Sequence, residues 1–203
     1  MQVASFTPVE YFGSNTYILH SYGRAAVIDP SIKYSELEDF IKSNSLTVKY
    51  IILTHSHFDH FSEIDSWVEN TGATVIVGEK DSKGLGDSIL NCYKQFAGVD
   101  KGYYGPYQTV KEGDKLLIGD NTLKVIETPG HTQGAISIQC GDTLFVGDLM
   151  FRGGGVGRCD LPGGDYAMLE KSIYKLLTYP DETLVYSGHG NKTKIKELKR
   201  YLG

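Results

Sequence analysis

Five of the six histidines in this chain follow short apolar runs of the kind that form β-strands. Three of them stand with an aspartate in the segment Thr54-His55-Ser56-His57-Phe58-Asp59-His60, which follows the apolar run 48–53. The other two, and a further aspartate, follow later runs beside glycine or another small residue: His131, Asp148 and His189. Histidines placed for packing alone would not be expected to cluster in this way. The pattern favours a fold whose rigid strands present these side chains on loops at their ends.

The types of residue in this set indicate a metal site. Imidazole nitrogens and carboxylates are ligands that zinc, manganese and iron accept. Seven groups are too many for one tetrahedral ion but suit two: His55, His57 and His131 for the first, Asp59, His60 and His189 for the second, with Asp148 as the bridge. A carboxylate can span two cations roughly 3.5–4 Å apart. Neither set completes its ion's coordination, so a shared water would fit between the two ions. Two cations would lower the pKa of that water towards about 7, and the resulting hydroxide favours a hydrolysis reaction.

The spacing of the first motif has a geometric reason. Residues two apart in extended backbone point to the same side, so both histidines of the His-x-His pair can reach one ion. Asp59 and His60 are then expected to open a helix over residues 61–70 that stops at Gly72. The positive end of that helix would favour the Asp59 carboxylate.

Length, charge and cysteine content narrow the class of protein. At 203 residues, with 40% hydrophobic residues and 24 glycines, the chain suits one compact domain with many tight turns. A net charge of −5 without a Lys/Arg cluster argues against a nucleic-acid partner. No apolar run is long enough to span a membrane, and the first residues lack a signal-peptide pattern. The three cysteines, Cys92, Cys140 and Cys159, form no Cys-x-x-Cys pair, which disfavours a structural zinc site. Because they are widely spaced, they also do not suggest a disulfide framework, and a reducing cytoplasm is the expected compartment.

Hydrophobic periodicity predicts strands and helices in two similar halves. Strands are predicted over 2–8, 15–20, 25–29, 48–53, 73–77, 115–118, 122–127, 135–140, 143–146 and 184–186. Further helices are predicted over 34–43 with a Ser35-x-x-Glu38 capping box, over 166–177 with Asp165 as the cap, and over 192–202. Residues 80–96 are compatible with a helix, and 97–108 are irregular and tyrosine-rich. This order favours an α/β (α+β) fold of two sheets packed face to face, with helices outside and the metals at one edge.

With these residues assembled, the chain resembles the metallo-β-lactamase-fold hydrolases over essentially its full length. The resemblance implies an αββα four-layer sandwich, a single domain over residues 1–203, and the same two ligand sets bridged by Asp148. The segment Gly147-Asp148-Leu149-Met150-Phe151-Arg152, continued by Gly157-Arg158-Cys159-Asp160 and Gly163-Gly164-Asp165, resembles glyoxalase II (hydroxyacylglutathione hydrolase), especially its short bacterial members. Arg158 matches the basic residue that helps to bind glutathione in those enzymes.

The resemblance also has a gap. Long glyoxalase II enzymes carry a C-terminal helical domain that supplies much of the glutathione contact, and only about fourteen residues follow His189 here, so that domain is not expected. Three tyrosines of the irregular segment could line the pocket instead: Tyr103, Tyr104 and Tyr107.

The resemblance implies a metal-dependent thioesterase acting on S-acylglutathiones such as S-lactoylglutathione through a metal-bridging hydroxide. Two divalent ions are the expected cofactors, zinc first, with iron or manganese as alternatives. Asp59 would position the hydroxide and accept its proton, and the thiolate leaving group needs no strong general acid. The expected partner is a small-molecule thioester, and neither nucleic acid nor a membrane.

Other readings stay open. A mononuclear iron persulfide dioxygenase shares this fold, with iron held by the counterparts of His55, His131 and Asp148. A lactonase, an RNA-processing nuclease and a metal-binding module without turnover rank lower. A β-lactamase is disfavoured, because those enzymes do not use a bridging carboxylate at the position of Asp148. Cys159 is predicted to be a passive small side chain, since a metal hydroxide makes a thiol nucleophile unnecessary.

Overall fold

The computed structural model describes residues 1–9 and 13–203, which include two six-stranded sheets. In spatial order the first sheet contains β1 (Gln2–Phe6), β2 (Thr16–Ser21), β3 (Arg24–Ile28), β4 (Thr47–Ile52), β5 (Thr74–Gly78) and β6 (Tyr107–Val110). The strands from β1 to β3 are antiparallel, and those from β3 to β6 are parallel. Parallel strands need crossover connections, which are α1 (Tyr34–Ser43), α2 (Ile64–Thr71) and a longer segment that includes the short helix α3 (Tyr93–Ala97).

The second sheet has the spatial order β12-β11-β10-β9-β8-β7. Its strands are β7 (Lys115–Ile118), β8 (Asn121–Glu127), β9 (Ile136–Cys140), β10 (Thr143–Gly147), β11 (Leu184–Ser187) and β12 (Thr193–Lys194). Only β10 and β11 pair in parallel among these strands, and α4 (Tyr166–Leu177) connects them. The last helix, α5 (Ile195–Leu202), packs with α4 on the outer face of this sheet.

Side-chain alternation along the strands builds three apolar layers. In β4, Ile51 faces α1 and α2 while its neighbour Ile52 faces the second sheet, as the period of two requires. Trp67 of α2 is fully buried in the first layer, and its indole nitrogen donates to the Ile32 carbonyl oxygen at 2.7 Å. The third layer lies between the second sheet and α4, and Leu169 of α4 is one of its residues. The order helix, sheet, sheet, helix is the predicted αββα sandwich, so the fold prediction is confirmed.

Two helices have the bounds that the sequence predicts. The helix over 34–43 has the predicted bounds, and so does the one over 166–177, whose Asp165 side chain accepts a hydrogen bond from the Met168 backbone nitrogen at 2.9 Å. The capping box is wrong, because Ser35 already lies inside α1 and the N-cap is Lys33, without a side-chain bond. Glu38 instead pairs with Lys42 one turn later, at 2.9 Å. None of the helices in the described part of the chain has the length and apolar character that crossing a bilayer requires.

The backbone after the histidine motif differs from the prediction. Residues Phe58–His60 form a 3-10 turn, and α2 begins only at Ile64, although it does stop at Gly72, which has a left-handed φ of 62°. Successive bonds from His60 N to the His57 oxygen and from Phe61 N to the Phe58 oxygen tighten the chain here. The expected influence of the helix dipole on Asp59 is therefore wrong, because that influence fades within the first helical turn.

Three further segments were predicted with the wrong structure or bounds. Residues 80–96 are not one helix: Glu79–Gly86 is a 3-10 helix, and α3 covers only the end. The predicted irregular segment 97–108 ends in strand β6, which begins at Tyr107. Residues 193–194 pair with β11 as strand β12, so the final helix starts three residues later than predicted.

Candidate metal centre

Four strand ends supply the predicted ligands. The loop after β4 carries His55, His57, Asp59 and His60, and the loops after β8, β10 and β11 carry one residue each: His131, Asp148 and His189. The first loop belongs to one sheet and the other three to the second sheet. All seven side chains meet at one edge of the sandwich, where the sequence placed them.

Three imidazoles form the first group. Possible ligand atoms of His55, His57 and His131 lie within 4.8 Å of one another, and all three side chains are buried. The Nδ1 atom of His57 is 2.8 Å from the Nε2 atom of His131. These are the residues that the sequence assigned to one ion.

Asp59, His60 and His189 form the second group, with the same 4.8 Å limit between ligand atoms. The Nε2 atom of His189 is 3.2 Å from Oδ2 of Asp59, and that of His60 is 3.7 Å from the same oxygen.

Asp148 lies between the groups. Its Oδ1 is 3.4 Å from His60 Nε2, and its Oδ2 is 3.8 Å from His131 Nε2, so the two oxygens face residues of both groups.

Hydrogen bonds fix which ring nitrogen points inward. The Nδ1 atom of His60 is 2.8 Å from Oδ2 of Asp29, and Nδ1 of His131 is 2.7 Å from the Arg158 carbonyl oxygen. In both rings Nδ1 therefore carries the donated hydrogen, and Nε2 faces the centre in the neutral form. Metal-ligating histidines are commonly oriented in this way by a carboxylate or a carbonyl on the outer nitrogen.

Buried polar atoms test whether the residues fit metal ions. Among the described residues, four buried atoms of the cluster make no hydrogen bond: Nε2 of His55, Nε2 of His57, and the pair of His60 Nε2 and Asp148 Oδ1, which lie 3.4 Å apart. Leaving such an atom unpaired costs about 1–3 kcal/mol. Lone pairs on imidazole and carboxylate atoms suit divalent zinc, iron or manganese. The donor set therefore fits the metals that the sequence predicted.

Two buried aspartates that the sequence analysis did not single out support the centre. Asp29 accepts from the backbone nitrogen and the hydroxyl of Thr54 at 2.8 and 2.7 Å, as well as contacting His60. Asp81 contacts the loops of His57 and His131 in a similar way. Asp29 directly follows an apolar strand, as the predicted ligands do, which is a usable signal. Asp81 has no comparable signal, because it lies within the 3-10 helix Glu79–Gly86 and not directly after the end of β5 at Gly78.

Charges divide the cluster into two electrostatic environments. Burial lowers the pKa of His55 and His57, and neighbouring imidazoles lower it further, to about 3 for His57. Burial also opposes charge on His189, but hydrogen bonds to Asp148 and Asp59 outweigh it and raise the pKa of His189 to about 9. For His60, the carboxylates of Asp29, Asp148 and Asp59 likewise overcome burial and raise the pKa well above its ordinary value.

The two inner carboxylates stay ionised. Burial raises the pKa of Asp59 and of Asp148, but the charge of His60 and hydrogen bonds from His189 outweigh this, so both pKa values fall below the ordinary range. Without ions, the second group is thus a network of imidazolium and carboxylate, while His55 and His57 are neutral.

A cavity of about 280 Å³ opens beside the cluster. His57, Asp59, His131 and Asp148 reach it, and its remaining lining is largely apolar: Phe58, Cys92, Phe96, Phe151, Gly157, Arg158 and Leu161. The predicted substrate residue Arg158 therefore does lie on the cavity. Its side chain is half exposed, and its guanidinium makes two 2.7 Å bonds to Asp160 and lies 5.9 Å from the ring centre of Phe96.

The tyrosines proposed for the pocket wall do not line this cavity. Tyr103 is buried in the layer between the first sheet and its helices, while Tyr104 and Tyr107 are exposed. Cys92 and Phe96, on and beside α3, line the cavity instead. The sequence identified the right connection between β5 and β6 but the wrong part of it. Cys159 is half-buried and is not part of the lining.

Sequence comparisons find relatives over nearly the whole chain. The profile of the Metallo-beta-lactamase superfamily matches residues 9–189. The probable metallo-hydrolase YqgX of Bacillus subtilis is 35% identical over 198 residues, covering 93% of this chain and 90% of the relative. The hydroxyacylglutathione hydrolase GloC of Haemophilus influenzae is 31% identical over 198 residues, covering 95% and 93%.

Three solved structures show a similar fold. BLEG-1, described as a B3 metallo-beta-lactamase, has a TM-score of 0.89 and 32% identity, covering 97% of this chain and 95% of that one. TTHA1623, in a di-iron-bound form, has a TM-score of 0.84 and 30% identity, covering 99% and 98%. ETHE1 from Myxococcus xanthus has a TM-score of 0.80 and 30% identity, covering 100% and 83%.

Proposed function

Because the chain belongs to the metallo-β-lactamase superfamily, we propose that it is a metal-dependent hydrolase that cleaves thioesters, with S-acylglutathiones such as S-lactoylglutathione as its first candidate substrates. The observation that carries the proposal is the meeting of seven ligand side chains beside a cavity, with unpaired buried nitrogens and a carboxylate oxygen among them. The similarity to GloC, over nearly the full length of both chains, supports the choice of substrate.

Two divalent ions would be held by the three-imidazole group and by the group of Asp59, His60 and His189, with Asp148 between them. When bound, such ions supply Lewis acidity that activates water and polarises a carbonyl. Zinc is the first candidate, since imidazole and carboxylate ligands suit it, and the di-iron form of TTHA1623 makes iron the second.

The chain's own residues would do three things. The ionised Asp59 carboxylate borders the cavity and can orient a water molecule through a hydrogen bond. Arg158 at the cavity can bind a carboxylate of glutathione, a pairing that favours arginine. The apolar walls formed by Phe58, Phe96 and Leu161 limit solvent around the reacting carbonyl.

The decisive experiment joins elemental analysis of the purified protein to hydrolysis assays. We expect two divalent ions per chain and release of glutathione from S-lactoylglutathione, abolished by a chelator and restored by Zn²⁺. Nitrocefin should be included, because BLEG-1 is described as a B3 enzyme. Nitrocefin turnover without thioester turnover would reject the substrate assignment and keep the hydrolase.

A mononuclear iron persulfide dioxygenase is the second candidate. The residues that match its iron ligands lie in the same cluster, with His131 Nε2 and Asp148 Oδ2 3.8 Å apart. One iron per chain, with oxygen uptake in the presence of glutathione persulfide and no hydrolysis, would decide for it. Two metals with thioester turnover would decide against it.

A further inference from the structure

Asp81 is a buried carboxylate outside the seven predicted ligands. It lies in the 3-10 helix Glu79–Gly86 that follows β5, and the residue is only 4% exposed. Burying an ionisable group in this way is costly unless hydrogen bonds satisfy it. Its partners therefore indicate what it does.

Those partners belong to two loops that carry ligands of the three-imidazole group. Asp81 Oδ2 accepts from the Ser56 backbone nitrogen at 3.0 Å and from the Thr132 hydroxyl at 2.7 Å. Its Oδ1 accepts from the Gly134 backbone nitrogen at 2.6 Å. Ser56 stands between His55 and His57, and Thr132 directly follows His131. One carboxylate from the first sheet therefore joins a loop of that sheet to a loop of the second.

Close backbone contacts keep this arrangement rigid. A Cβ atom on Gly134 would lie 2.2 Å from the Asp81 nitrogen, and one on Gly84 would lie 2.2 Å from the Ser56 hydroxyl oxygen. Neither approach is possible for a residue with a side chain unless the backbone moves. The loop of His57 and the loop of His131 therefore lie directly against Asp81 and the 3-10 helix that carries it.

We propose that Asp81 is a positioning residue for the three-imidazole group, which holds His57 and His131 at the separation that ion binding requires. This inference rests on the proposed metal centre. The second group depends on a different buried carboxylate, since His60 is bonded to Asp29. Loss of Asp81 should therefore weaken one ion site and leave the other intact.

Asp81→Asn is the informative substitution, because it keeps the volume and removes one acceptor. An amide nitrogen cannot accept a hydrogen bond, so either Gly134 or the pair of Ser56 and Thr132 would face a donor. Asp114→Asn is the matched control. It makes the same change in a carboxylate that accepts from Lys111 N at 2.9 Å, in the loop between β6 and β7, which carries none of the seven ligands.

The test is a titration of the metal-free proteins with Co²⁺, followed by absorption, and with Zn²⁺ in competition with a chelator. We expect the wild-type chain and Asp114→Asn to bind two equivalents. Asp81→Asn should bind one with wild-type affinity and the other roughly 10–100-fold more weakly. In a His189→Ala background, which leaves the three-imidazole group complete, Asp81→Asn should weaken the remaining Co²⁺ site by the same factor.

Two results would overturn the inference. The first is wild-type affinity for both ions in Asp81→Asn, even with a lower melting temperature, since Asp81 would then only stabilise the fold. The second is an equal loss at both sites in a variant whose circular dichroism is unchanged. A wild-type chain that binds neither Co²⁺ nor Zn²⁺ would reject the proposed centre itself and the role of Asp81 with it.

Discussion

Among single residues, Asp59 is the side chain that both borders the cavity and belongs to the second ligand group. In Asp59→Asn we expect the kcat for S-lactoylglutathione to fall by about 100-fold or more, because the amide loses both the charge and one acceptor that would orient the attacking water. The loss of unfolding free energy in urea should be small beside this, because the amide keeps the volume and gives up only the charge that faces His60 and His189. Asp65→Asn, on the exposed side of α2, is the control and should leave kcat unchanged. Equal turnover in both variants would remove Asp59 from the mechanism.

Arg158 is restrained by its own neighbour, because both of its bonded nitrogens face the Asp160 carboxylate. A substrate carboxylate must compete with that pair. We expect Arg158→Gln to raise KM roughly 10-fold, because one charge-assisted interaction with the substrate is lost. Asp160→Asn should lower KM. Neither variant should change kcat comparably. Arg24→Gln, at the start of β3, removes the same charge away from the cavity and should leave KM unchanged. A higher KM in Asp160→Asn would show that the ion pair itself forms the binding surface.

The two ligand groups should differ in proton release. In the ion-free chain the pKa of His189 is raised to about 9 and that of His60 lies well above its ordinary value, so both carry a proton at pH 7. The pKa values of His55 and His57 are lowered, so these rings are already neutral. An ion binds only the unprotonated nitrogen. Zinc affinity of the second group should therefore rise more steeply with pH, through the pKa of about 9 of His189, than that of the first group.

Calorimetric Zn²⁺ titrations in buffers of different ionisation enthalpy, at pH 7, measure this difference. The Zn²⁺ that fills the group of Asp59, His60 and His189 should release protons, and the Zn²⁺ that fills the three-imidazole group should release fewer. Equal proton release by both equivalents would contradict the division of the cluster into two electrostatic environments.

At the scale of elements, the end of β10 depends on a glycine. Gly147 has a φ of +52°, and a Cβ atom there would lie 2.4 Å from the Thr54 hydroxyl, which bonds Asp29. Gly141 has nearly the same φ, +53°, but open space around it. Gly141→Ala should cost about 1–2 kcal/mol of backbone strain. Gly147→Ala adds a clash, so we expect about 3 kcal/mol or more and weaker Zn²⁺ binding. Equal losses of unfolding free energy in the two variants would show that Thr54 can move aside.

The strands and the clustering of the seven candidate ligands could be predicted for the same reason. Each candidate ligand comes after an apolar run, and strand ends can be read from periodicity and glycine alone. The 3-10 turn at Phe58–His60 was missed because short helices of both kinds have similar composition. Asp81 was missed because its role depends on contacts between segments far apart in the chain. The cavity wall was misassigned because Phe96 and Tyr103 are both aromatic, and only packing separates a buried ring from one facing the cavity.

At the scale of the whole molecule, the proposed ions would connect the two sheets. Both ligand groups contain residues from both sheets, and the bridging residue comes from the second sheet. Removing the ions with a chelator should lower the melting temperature, and Zn²⁺ should restore it. Free Zn²⁺ at 100 times its dissociation constant contributes about 2.7 kcal/mol for one site. Mg²⁺, which prefers oxygen ligands, is the control and should not restore it. A melting temperature that does not respond to the chelator would mean that the sheets dock fully without ions.

The placement of the ligands along the chain has a consequence for biosynthesis. A ribosome makes His55, His57 and His131 before Asp148, and His189 comes last. The three-imidazole group is therefore complete in the nascent chain while the second group still lacks a member. Two of its rings are also neutral at pH 7, so it needs fewer protons removed before it takes up an ion. Of the two proposed ions, the one assigned to the three-imidazole group would therefore find its ligand set complete first, and the other only after His189 has been made.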